Sequence, residues 1–204
     1  MLPNSLNVSG NQVEFISTVA HGRYRRLPAP DGSGDTFFPA NSQGSFDVLG
    51  SLLNSGSITT RSPGTDCGTS AGSCLSVYNT GQSGFDAWSG DNLAAITDVS
   101  GTSISYDSGG PSFKTHSPQQ RFHVIDRTVA YTCSNGQLHR HAGYGVGNSP
   151  SGPGHLVADN ITGCTFSYNP GTAARRGLLT VRLDLEADGE AIFLLGQAQV
   201  LNTP

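Results

Sequence analysis

The stretch LLTVRLDLEADGEAIFLLGQAQVL, residues 178 to 201, leaves this chain few choices of fold. Leu179, Val181, Leu183 and Leu185 fall on one side of an alternating pattern. Thr180, Arg182, Asp184 and Glu186 fall on the other. A period of two is the signature of a half-buried strand. Asp188-Gly189 suits the tight turn that follows, because both central positions of the favoured hairpin turn need positive φ. EAIFLLGQAQVL then returns as the partner strand. The pattern predicts strands near 178–186 and 190–200. Their Leu-rich faces are expected in a core, against a second sheet supplied by the first half of the chain.

A second hairpin is written around Asn135-Gly136, which joins RFHVIDRTVAYTC to QLHRHA. TGCTFSYN, residues 162 to 169, reads as a further strand. Upstream, VEFISTV, SFDVLG and CLSVYNT are short strand signals between Gly/Ser/Pro loops. Helix signals are scarce. DNLAAITDV (91–99) is expected to form about two turns capped by Asp91. The 27 glycines and 11 prolines fit a turn-rich, mainly β chain of one domain.

Charged residues make up only 13% of the chain and the net charge is -4, so there is no nucleic-acid footprint. The densest basic cluster, Arg23, Arg25 and Arg26, reads as a solvated loop. The four cysteines, Cys67, Cys74, Cys133 and Cys164, form no CxxC pair and have no histidine at zinc-finger spacing. They read as disulfides of an oxidising compartment. Three pairings are open. Pairing neighbours in sequence gives Cys67–Cys74 and Cys133–Cys164, with chain-entropy stabilisations of about 2.5 and about 3.7 kcal/mol.

Several motifs invite a chemical reading. Asp107-Ser108-Gly109-Gly110-Pro111 resembles the nucleophile loop of chymotrypsin-like proteases, with His21 as a candidate base. Tyr106 stands where that motif needs Gly, the spacing from His21 is short, and no specificity-pocket pattern follows. The segment reads instead as a turn. Gly109 and Gly110 are expected to supply positive φ, and Pro111 to start the exit strand. His139 and His141 share a face of a predicted strand, and with His123 or His155 offer imidazoles for zinc or copper. No carboxylate or cysteine supports them, so polar residues of an exposed hairpin face is the simpler reading. DGSGD (31–35) opens like a calcium loop, but Thr36 and Ser42 stand where Gly and Glu are needed. Asn7-Val8-Ser9 and Asn160-Ile161-Thr162 fit the glycosylation pattern, which matters only in a eukaryotic secretory source. Trp88, the sole tryptophan, is expected to pack in the core, with a binding surface as the minor reading.

Several segments in order resemble bacterial type IV minor pilins and type II secretion pseudopilins, in particular the MshO-like proteins of MSHA-pilus biogenesis. These are LPNSLNVSG, VEFISTVAHGRYR, SFDVLG, LSVYNTG with AWSGDNLAAI, the hairpin carrying Cys133, and VADNITGCTF through to the end. The resemblance covers most of the chain, and the order of the segments is more specific than any one of them. The Cys67–Cys74 loop is not a general family feature. The family's cleavage site and apolar N-terminal helix are not in this sequence.

The resemblance implies a pilin-like globular head: residues 1–9 the end of a truncated N-terminal helix, 10–110 a loop-rich variable half, 111–204 antiparallel strands. It implies a non-enzymatic role, no cofactor and no metal. Other pilins or pseudopilins are the implied partners, in a filament or tip complex. The full-length protein would be anchored in the inner membrane before assembly, with its head in the periplasm. Loops 80–92 and 139–155 are the expected contact regions, with Trp88, Asp91, His139, His141 and Tyr144 as candidate residues. A secreted β-sandwich module that binds a carbohydrate or a surface is the competing expectation.

Overall fold

A computed structural model describes residues 1–64, 66–110, 113–172 and 175–202. The chain is built from antiparallel strands: β1 (Asn7–Ser9), β2 (Gln12–Arg23), β3 (Gln43–Asp47), β4 (Cys74–Ser76), β5 (Leu93–Ser100), β6 (Ser103–Asp107), β7 (Arg121–Ser134), β8 (Gln137–Ala142), β9 (His155–Ala158), β10 (Ile161–Asn169), β11 (Gly177–Ala187) and β12 (Glu190–Val200). Nine of them form one sheet in the order β1-β2-β7-β4-β5-β6-β3, with β8 and β9 branching from β7. A separate sheet runs β10-β11-β12.

The branch has a local cause. β7 pairs with β2 along its length, but its other edge is shared. Residues 123–125 pair with β4, and residues 129–134 pair with β8. The loop around Cys67 closes the gap between them. Thr128 N–H donates to the Gly68 carbonyl (2.9 Å), and Val146 N–H to the Cys67 carbonyl (2.8 Å). Gly68 has φ +80°, and a Cβ there would lie 2.9 Å from Thr128 Cγ2, so the close approach needs glycine. The Cys67–Cys74 disulfide and the buried Arg61, which donates to the Asp66 and Gly72 carbonyls, hold the loop in place.

Three apolar clusters organise the interior. The largest is aromatic and centres on Phe37, whose ring meets Tyr24, Phe46, Tyr106 and Phe113 at centroid distances of 4.6 to 5.6 Å. A second cluster gathers Leu2, Ile16, Leu93 and Ile125 around the Cys67–Cys74 bridge. The third joins the two sheets. Leu6, Val13 and Leu138 of the large sheet's side meet Ile161, Phe166 and Val200 of the small one. Cys133 on β7 is bonded to Cys164 on β10 within this third cluster. The pairing of neighbouring cysteines is therefore the one formed.

Both predicted hairpins are present. Asn135-Gly136 (φ 52° and 75°) joins β7 to β8, and Asp188-Gly189 (φ 53° and 82°) joins β11 to β12. Other expectations need correction. Where a helix is expected over 91–99, residues 91 and 92 form a turn and strand β5 starts at Leu93, because Leu93, Ala94, Ala95 and Ile96 are buried between β4 and β6. The Asp91 carboxylate caps no helix and accepts from Gly84 N–H (2.7 Å). Residues 1–9 do not end a helix. Their turn leads into β1, and Leu2 N–H donates to the Ile16 carbonyl. The first 110 residues are less loop-like than expected, since β1 to β6 lie in them. Gly109 has positive φ (69°) but Gly110 does not, and Pro111 lies outside the described residues.

Candidate functional site

The surface that stands out is the edge of the small sheet. β12 pairs with β11 on one side, and among the described residues no strand pairs with its other edge. Register places Ile192, Leu194 and Val200 opposite Leu185, Leu183 and Gly177, so they share the face that looks to the third cluster. Leu179, Val181, Leu183 and Leu185 do pack there, as the alternation predicts. β12 does not follow. Only Val200 is buried, while Ile192, Phe193, Leu194 and Leu195 are 61, 65, 53 and 62% exposed. The sheet overhangs the body, and the expected burial of the returning strand is absent for want of a covering layer. Phe193 and Leu195 lie on the opposite face, where Arg182 rests over the Phe193 ring at 5.3 Å. An apolar strand with an open hydrogen-bonding edge is a template for pairing or docking, and soluble proteins ordinarily blunt such an edge with charge, proline or a cover.

The candidate contact residues named from sequence are spread over the molecule. Trp88 is half-buried: it packs against the second cluster and its indole N–H donates to the Ser5 carbonyl (2.8 Å). It meets the 144–147 loop, where Val146 joins the same cluster. The Tyr144 hydroxyl donates to Glu14 Oε2 (3.0 Å), and burial, aided by that carboxylate, holds the phenol far above its ordinary range. His139 pairs across β8 with Thr132 and Leu156. His141 Nε2 bonds with Thr132 Oγ1 (3.0 Å), and its ring lies against Gly154. Among the described residues, no three His, Cys, Asp or Glu side chains are grouped so as to hold a metal ion.

The protease-like pieces are not assembled either. Ser108 Oγ donates to the Ser42 carbonyl (3.0 Å), and Asp107 Oδ1 accepts from Gly109 N–H (2.8 Å). His21 is on β2, opposite His123. The calcium-like loop has protein partners for both aspartates, with Asp31 accepting from Ser33 N–H (2.9 Å) and Asp35 from Ser45 Oγ on β3 (2.6 Å).

A second feature was not foreseen from sequence. At the end of the β2–β7 ladder, His21 faces His123 and Arg23 faces Arg121. Successive pairs two residues apart share one face of a sheet. All four side chains line a cleft of about 710 Å³, together with Met1, Pro3, Thr18, Leu49 and Leu201. His123 Nε2 is buried and has no hydrogen-bond partner among the described residues. Burial, and then the positive charge of His21, the amino terminus and Arg121, push its pKa down to about 4. An unfolded chain binds this proton near pH 6.5, so it outcompetes the fold for protons between those values. Stability contributed by neutral His123 is therefore complete above pH 6.5 and is lost as pH falls toward 4. The expected loss by pH 4.5 is on the order of 2–3 kcal/mol. Urea midpoints at pH 7 and 4.5 measure it, and His123→Gln should show a smaller drop than the wild type.

No known protein family, curated protein or solved structure matches this chain. Among the described residues, no helix is long and apolar enough to cross a membrane.

Proposed function

We propose that this chain is the head of a non-enzymatic minor pilin or pseudopilin, which works by assembling with other subunits of a filament or tip complex. The observation that carries the reading is the apolar β12 with its open outer edge. It is the kind of surface that a partner must cover. The order of the pilin-like segments supports the same class, as does a disulfide-bonded antiparallel body suited to an oxidising compartment such as the periplasm.

The occupant we assign to β12 is an apolar helix that precedes Met1, contributed by the same subunit or by its neighbour. The start of the chain lies beside the end of β12. Asn4 N–H donates to Asn202 Oδ1, and Asn4 Nδ2 to the Asn202 carbonyl, both at 3.3 Å. Met1 and Leu201 line the same cleft. A helix arriving here can run back along the strand. An eleven-residue strand spans roughly 36 Å, the length of about 24 helical residues.

Hydrogen exchange tests this placement. Amides of residues 191–199 on the open edge should exchange fast in the 204-residue chain and slowly in a gene product that retains its upstream segment. Equal rates in the two would remove the helix from β12. The second reading, a secreted β-sandwich binding module, is favoured by the cationic cleft, since a ready ligand site is what such a module needs.

A further inference from the structure

The cleft at the end of the β2–β7 ladder is electrically unlike the rest of the molecule. The chain carries a net charge of -4, yet among the described residues no Asp or Glu lines this cleft. Arg23 and Arg121 are direct cross-strand partners. Such partners have Cβ atoms only about 5 Å apart, and like charges there oppose pairing. Neither arginine has an ion pair among the described residues; Arg25, close by, is paired with Asp47 at 3.3 Å. One step along the ladder, the two imidazole rings lie 6.3 Å apart between centroids. His123 Nε2 in this pair has no hydrogen-bond partner among the described residues.

The backbone arrangement keeps these groups together. Gly22 and Phe122, between the two pairs, turn to the opposite face. A Cβ at Gly22 would lie 2.8 Å from the Phe122 ring, so the ring and the glycine fix each other on the core side. The arginines and histidines are left on the outer face, walled by the apolar side chains of Leu49 and Leu201.

We propose that this cleft binds an oxyanion group, a phosphate or a carboxylate, held between the Arg23 and Arg121 guanidinium groups. A planar guanidinium presents paired N–H donors that match either oxyanion. An anion here sets two attractive interactions against the repulsion of a like-charge cross-strand pair. The rest of the ligand lies against Leu49 and Leu201, so it is an organic acid or phosphate ester with an apolar portion. This site does not depend on the assembly role of β12.

The test is a titration of the 204-residue chain with sodium phosphate, sodium succinate and, at matched ionic strength, sodium chloride. Amide and side-chain NMR shifts of residues 21–23 and 121–123 are the readout, with thermal midpoints beside them. We expect saturable shifts with phosphate or succinate, a raised midpoint, and a loss of at least tenfold in affinity in Arg23→Gln and in Arg121→Gln. Arg23 is exposed, so its variant remains informative if Arg121→Gln folds poorly. Tighter binding of phosphate assigns a phosphate ligand; tighter binding of succinate assigns a carboxylate. Shifts that follow ionic strength alike for all three salts, or that persist unchanged in Arg23→Gln, would overturn the site.

Discussion

Replacing Cys133 and Cys164 together by alanine should lower the stability of this protein by about 3–4 kcal/mol, the largest effect expected of any change at the disulfides. The bridge closes a separation of 31 residues, against 7 for Cys67–Cys74. Chain entropy alone assigns the shorter bridge only about 2.5 kcal/mol. The longer bridge also joins different sheets, β7 in the large one and β10 in the small one. Without it, the small sheet is held by the third apolar cluster and a few hydrogen bonds. Those include Ile161 N–H to the Gly136 carbonyl and Asn4 N–H to Asn202 Oδ1. The loss should therefore be uneven. Exchange protection in β10, β11 and β12 should fall first, while the aromatic cluster around Phe37 keeps its protection. Urea unfolding of the oxidised wild type and the double variant gives the energy. A loss below about 1 kcal/mol, or a larger loss from removing Cys67–Cys74, would contradict this ranking.

Introducing Ile192→Glu with Leu195→Glu should separate folding from assembly. Both side chains are mostly exposed, so the isolated chain should change in stability by less than about 1 kcal/mol. Leu195 lies opposite Arg182, which gives one new carboxylate a cation across the strand pair. The Arg182–Phe193 contact is left in place. Association is another matter. Covering β12 with an apolar partner would bury two carboxylates, at a cost of several kcal/mol. The wild-type chain should self-associate with rising concentration through its open edge, and the variant should stay monomeric in sedimentation experiments. In cells, the variant of the complete gene product should be recovered in high-mass assemblies at least tenfold less than the wild type. Unchanged recovery would show that β12 is not an assembly surface.

What the sequence made legible follows the range of the interactions. Asn135-Gly136 and Asp188-Gly189 demand positive φ and sit between alternating segments, so each hairpin is written locally. The burial of Leu179, Val181, Leu183 and Leu185 was legible from period alone. The exposure of Ile192 to Leu195 was not, because alternation says which side chains share a face and not whether anything covers it. Residues 91–99 show the converse failure. Their paired alanines suit a helix, but placement between β4 and β6 decides in favour of a strand, and that pairing is set by residues distant in sequence. The cationic cleft was invisible for the same reason. Arg23 was noticed only as a neighbour of Arg25 and Arg26, whereas its structural partner is Arg121, brought opposite by the β2–β7 register. The expected packing of Trp88 is seen in its contact with the second cluster, where it stays half-buried.

The assembly role rests on a helix that covers β12, and the most direct measurement is the sequence of the reading frame upstream of Met1. The account predicts a short basic leader, a prepilin-type cleavage site and then about twenty apolar residues upstream of Met1. An ordinary cleaved secretion signal immediately before residue 1 would contradict it, and the secreted binding module with its cationic cleft would take its place.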